Sequence, residues 1–211
     1  MNMPDDLMLW QLMAAIASGD RPAALALVTA DPRLATATLK EGATRAASTD
    51  RFLTEISHHV YAGDTALHVA AAAHSPEIAR ALIGLGADVA ARNRRGATPL
   101  HYAADGSPGS ARWDPAGQSA TIAILIEAGA DPNATDQNGV TPLHRAVRTR
   151  CAAAVGALLD GGADVRLRND NGSTPVMLVT RQTGRSGSGS PEAKAQQAEI
   201  VRLFGGYGAA R

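Results

Sequence analysis

A short phrase returns along this 211-residue chain and limits what it can fold into. Thr65-Ala66-Leu67-His68 recurs as Thr98-Pro99-Leu100-His101, as Thr141-Pro142-Leu143-His144, and in weakened form as Thr174-Pro175-Val176-Met177, at steps of 33, 43 and 33. A second phrase, Gly86-Ala87-Asp88, returns at Gly129 and Gly162, at steps of 43 and 33. One 33-residue unit with ten extra residues inside one copy explains both series, so the chain is built of repeats. In Gly-x-Thr-Pro-Leu-His the glycine permits a turn, the threonine caps a helix, and the proline occupies the first turn, where its missing amide is harmless. First helices therefore begin at Pro99 and Pro142. Ala70-Ala71 and Ala103-Ala104 follow, small enough for helices to approach closely. Leu82-Ile83, Leu125-Ile126 and Leu158-Leu159 lie at helical spacing from Ile78, Ile122 and Val155, giving a second helix its buried stripe, and the glycine of Gly-Ala-Asp ends it.

These residues resemble the ankyrin repeat, strongly from Gly63 to Gly172 and weakly outside that range. The resemblance implies an all-α solenoid of stacked helix-turn-helix units with hairpin fingers. The expected organisation is one domain over 1–211: an N-terminal capping repeat at 1–35, a long inserted loop at 36–60, repeats at 61–93, 94–136 and 137–169, and a C-terminal capping repeat at 170–211. It also implies an open concave face, without a deep pocket, that binds another protein.

Composition narrows the rest. With 45% hydrophobic and 19% charged residues the chain folds, and with only seven aromatic residues its core is mainly Ala, Leu, Ile and Val. Twenty basic residues balance twenty acidic ones, which gives no reason to expect nucleic acid or an anionic membrane as partner. Cys151 alone closes no internal disulfide and suits a reducing compartment. The apolar stretch from Leu7 to Ala17 follows Asp5 and Asp6, the wrong charge for a secretion leader, and no run approaches the roughly 18 residues of a membrane span. A cytoplasmic monomer without cofactor is expected. Eighteen arginines against two lysines in an Ala-rich chain point to a GC-rich bacterial coding sequence. There a free-standing chain of this kind would act as inhibitor, antidote or scaffold.

Three insertions break the period. The first, Thr36 to Tyr61, carries Arg45, Arg51, Phe52, His58, His59 and Tyr61, and its stretch 51–61 reads as a hairpin or a short helix packed on the second unit. The second, Asp105 to Gly117, surrounds Trp113, which either anchors a partner or folds back over a helix end. The third, Thr183 to Pro191, reads as a flexible Ser/Gly connector. The last two are expected at an edge remote from the fingers and too far apart to share a site.

Two functional readings follow. In the first, a partner with an acidic surface meets Arg92, Arg94, Arg95, Gln137 and Arg168 of the fingers, Tyr102, Asp105, Arg145, Arg148 and Arg181 along the first helices, and Trp113, because the planar guanidinium suits carboxylates. In the second, an enzyme, metal or small-molecule site lies between the 36–61 loop and the concave face, using His58, His59, Tyr61 and His68 with Tyr102. His68, His101 and His144 fall on successive layers roughly 10 Å apart, too far to share an ion, and read as rings bonded to loop backbone. No catalytic constellation appears. Cys151 opens a second helix, where a thiol is either activated or a plain surface or half-buried group.

Overall fold

The computed structural model describes residues 6–43, 51–110, 112–180 and 190–208. Arg45, Arg181 and most of the Ser/Gly connector lie outside them. The helices come in consecutive pairs: α1 (Asp6–Ser18) and α2 (Arg21–Ala30), α3 (Ala66–Ala72) and α4 (Pro76–Gly84), α5 (Pro99–Ala104) and α6 (Pro115–Glu127), α7 (Pro142–Thr149) and α8 (Ala152–Asp160), α9 (Pro175–Thr180) and α10 (Pro191–Gly208). α1, α3, α5, α7 and α9 pack one on the next as an inner layer, and α2, α4, α6, α8 and α10 do the same outside it. This is the all-α solenoid the period demands. Leu67, Leu100 and Leu143 of the inner layer and Leu82, Leu125 and Leu158 of the outer layer are fully buried.

The Thr-x-x-His phrase sets both the start of each inner helix and its link to the next unit. The amides of Thr65, Thr98 and Thr141 donate to Nδ1 of His68, His101 and His144, at 3.1, 3.1 and 3.2 Å. Nδ1 is therefore an acceptor, and Nε2 carries the proton. It donates to the carbonyl of the following finger, at Ala97 (3.2 Å), Val140 (2.9 Å) and Ser173 (2.9 Å). The fingers also bond directly: Arg94 N to Ala62 O, Gln137 N to Arg95 O, and Asp170 N to Asn138 O, at 2.8, 3.0 and 3.1 Å. Such close stacking needs glycine at the bends. Gly63 has φ +85° and a Cβ there would come within 2.9 Å of Asn93 Cα in the next finger.

The first insertion is not structureless. Leu39 N donates to Asp64 O and Gly63 N to Leu39 O, so 38–43 lines up beside the second unit's finger, and Ala43 N reaches Val60 O. Residues β1 (Phe52–Leu53) and β2 (His58–His59) then pair as an antiparallel hairpin, Phe52 opposite His59 and Leu53 opposite His58.

Burial pushes the His101 imidazole down from its ordinary 6.5 to about 3. The unfolded chain therefore binds more protons than the folded one between those values. The stability His101 contributes is complete above about pH 7 and is lost as pH falls toward about 3. His101→Ala is expected to lower stability by about 2–4 kcal/mol in urea unfolding and to flatten the fall of the midpoint between about pH 7 and about pH 4.

Candidate functional site

Two insertions that lie far apart in the chain meet above the inner helices. The hairpin is closed by a tight turn at Thr54–Ile56 and by Ser57, whose φ is +51°. Buried Leu53 and Val60 anchor it. This seats the His58 ring on Tyr102 of α5, 4.2 Å between centroids. From the far side comes the α5–α6 connection, residues 105–114. Gln118 of α6 holds it by donating to the carbonyls of Ala103 and Asp105 at 3.0 and 3.2 Å and by accepting the Trp113 indole N–H at 2.9 Å. His74, at the end of the α3 turn, donates to the Asp105 carbonyl at 2.9 Å. A cavity of about 330 Å³ remains between hairpin and loop, walled by His58, His74 and Trp113 with Glu55 and Arg112 at its edge. Beyond His58, toward the fingers, a second hollow of about 200 Å³ is bounded by Tyr61, Arg95, Asp105, Arg145 and Arg148.

Beneath His58 lies a buried polar network. Asp64, fully buried, accepts from Tyr61 N (2.6 Å), Asn93 Nδ2 (2.8 Å) and the Tyr102 hydroxyl (2.8 Å). Arg145, 8% exposed, donates from Nη1 to Asp105 Oδ2 at 3.0 Å and from Nη2 to Asp136 Oδ2 at 3.1 Å, while its buried Nε finds no acceptor among the described residues. Burial alone would raise the Asp136 carboxyl, but the amides of Asn138 and Val140 together with Arg145 hold it below its usual value. Desolvation lowers His58, against the pull of Asp105 and Asp64, and keeps the ring neutral at physiological pH.

Several expectations are corrected here. Tyr102 is 1% exposed and cannot meet a partner, because its hydroxyl is turned inward to Asp64. Arg145 is no surface charge: acids from the second insertion and the preceding finger enclose it. His68 is a buried helix cap behind Tyr102 and lines neither hollow. Trp113 folds back, half-buried against the core. The second insertion is not remote from the fingers, since Asp105 shares a hollow with Arg95. Nor does it stand clear of the third. A Cβ on Gly109 would lie 3.9 Å from Ser190 Oγ, because the ten extra residues are long enough to cross the intervening layer. The open groove without pockets is replaced by two hollows. Cys151 is fully buried, and burial raises its thiol instead of activating it.

Arg92, Arg94, Arg95, Gln137, Arg148 and Arg168 are exposed. Arg92 Nη1 donates to the carbonyls of Gly96 (2.9 Å) and Thr135 (2.7 Å), Arg168 Nη1 to that of Gly172 (2.7 Å), and Arg94 to that of Ala43. Arg95 donates to the Tyr61 hydroxyl at 2.9 Å and lies over its ring. The hollows bring together residues from both functional readings: His58, His59 and Tyr61 with Arg95, Asp105 and Arg148. Asp64, Asn93 and Gln118 were missed. One signal was available for Asp64. It fills the position before the capping threonine, where Ala97, Val140 and Ser173 stand in the other units. No three His, Cys, Asp or Glu side chains among the described residues are grouped to hold a metal, and none of the described helices is long and apolar enough to cross a membrane.

A family model described as ankyrin repeats in three copies matches residues 12–113. One described as ankyrin repeats in many copies matches 125–179, and one described as a single ankyrin repeat matches 95–137. No curated protein matches the sequence.

Removing the Arg145 guanidinium leaves Asp105 and Asp136 facing each other without a cation. Arg145→Met is expected to cost about 3–5 kcal/mol in chemical denaturation, with partial recovery when Asp105→Asn is added. Cys151 is expected to resist a thiol reagent at mildly alkaline pH until the chain unfolds; labelling of the native protein on the time scale of a free thiol would contradict its burial.

Proposed function

The chain belongs to the ankyrin repeat family, whose repeats are generally protein-protein interaction modules, and on that premise we propose that it is a non-catalytic binder of another protein. The partner lies across the fingers and the ends of the inner helices and offers an acidic surface. The protein acts as a monomer, in the manner of an inhibitor, antidote or scaffold of a bacterial cytoplasm. The observation that carries this reading is the fixing of exposed finger side chains. Arg92 and Arg168 are tied to finger carbonyls, Arg95 to a phenol, and each finger to the helix before it through a histidine. A row of donors ordered before contact loses little side-chain entropy on binding, so more of each contact appears as affinity.

A second reading is a small-molecule ligand in the larger cavity. It is favoured by that cavity's volume of about 330 Å³, within the range of ligand sites, and by the His58 ring on its wall.

Capture with the full chain as bait is expected to recover one stoichiometric protein. Arg95→Glu with Gln137→Glu should weaken that complex by at least about tenfold while the fold is kept, the melting temperature falling only by the little that the exposed Arg95–Tyr61 contact contributes. An undiminished complex would remove the finger surface. For the second reading, a metabolite screen by thermal shift should yield a stabilisation that His58→Ala abolishes.

A further inference from the structure

We propose that the hollow on the finger side of His58 is a socket for one carboxylate, carried on an acidic side chain of the protein partner. The proposal rests on the interaction-module reading and adds the point of contact. Three arginines, Arg95, Arg145 and Arg148, line a space of about 200 Å³. Only one of them is neutralised there. Arg145 is bound at 3.0 and 3.1 Å by Asp105 and Asp136. Arg148 stands exposed, with neither hydrogen bond nor ion pair among the described residues. Among the described residues the Arg95 guanidinium meets Tyr61 alone, whose hydroxyl, an uncharged acceptor, lies at 2.9 Å and over whose ring it sits.

The donors left over match a carboxylate. Because Tyr61 accepts from Arg95, its own hydroxyl proton is free to be donated. Arg148 offers the planar fork that carboxylates bind in pairs of hydrogen bonds. The space is below the roughly 300 Å³ at which small-molecule sites begin, yet ample for a carboxylate on a short stem. Charge decides between carboxylate and phosphate. With Arg145 bound by both Asp105 and Asp136, the three arginines and two aspartates leave a single positive charge, which one carboxylate neutralises and a dianion would exceed. Of the other acids beneath the hollow, Asp136 is already bound to Arg145, and Asp64 is fully buried and accepts three hydrogen bonds.

The test titrates the full-length, uniformly 15N-labelled protein with N-acetyl-Gly-Glu-Gly-amide, its Gln counterpart and inorganic phosphate, following the arginine Nε–Hε signals by NMR. The Glu peptide should bind saturably with a Kd of about millimolar order, and added salt should weaken it. Arg148→Gln should weaken it at least about fivefold and Arg148→Lys less, with melting temperatures unchanged because the side chain is exposed. Equal binding of the Gln peptide, no saturable shift, or indifference to Arg148→Gln would overturn the socket, and tighter binding of phosphate would overturn its assignment to a carboxylate. Capture of the partner at full strength by Arg148→Gln would remove the socket and leave the interaction module standing. Peptide binding with no captured partner would do the reverse.

Discussion

Each neutral histidine of the Thr-x-x-His phrase faces two ways, and the architecture depends on that. Nδ1 accepts the amide that opens its own helix, and Nε2 donates to the carbonyl of the next finger, as His101 does between Thr98 and Val140. A protonated ring would set N–H against N–H at the cap and would carry its charge into a buried site. Helix start, layer spacing and finger register therefore stand or fall with one tautomer. Where Met177 replaces the histidine, the ladder has no further rung of this kind.

The site is built from departures from the repeat. The position after the capping histidine is Val69, Tyr102 and Arg145 in successive units, and four residues after the histidine stand Ala72, Asp105 and Arg148. Equivalent positions stack side by side in a solenoid. Residues that break the consensus at neighbouring positions of one face can thus meet across layers, as Asp105 and Arg145 do one helical turn apart in the repeat. The hairpin seals this polar seam by laying His58 over Tyr102. A charge buried in such a seam needs its counter-charge, which draws Arg145 inward while Arg148, one turn further on, stays at the surface.

The repeating layers were legible in the sequence because period, cap and helix stop are local: Thr98, Pro99 and Gly129 carry their meaning within a few neighbours. The hairpin at 51–59 was legible as one of two local choices. Which residues would be exposed was not. Arg145 and Arg148 read alike as arginines on a first helix, yet one is enclosed and the other exposed, because what encloses Arg145 includes Asp105, 40 positions away in the second insertion. Tyr102 read as a surface aromatic for the same reason: its partners Asp64 and His58 arrive from the unit before it and from the first insertion.

The sequence by itself determined the stacking of helix pairs, since a 33-residue period of caps and stops leaves each unit only its neighbours to bury against. Only the tertiary structure decided that the first and second insertions meet, and that they turn an open face into two hollows divided by His58. The meeting depends on distances across layers, which no local pattern encodes.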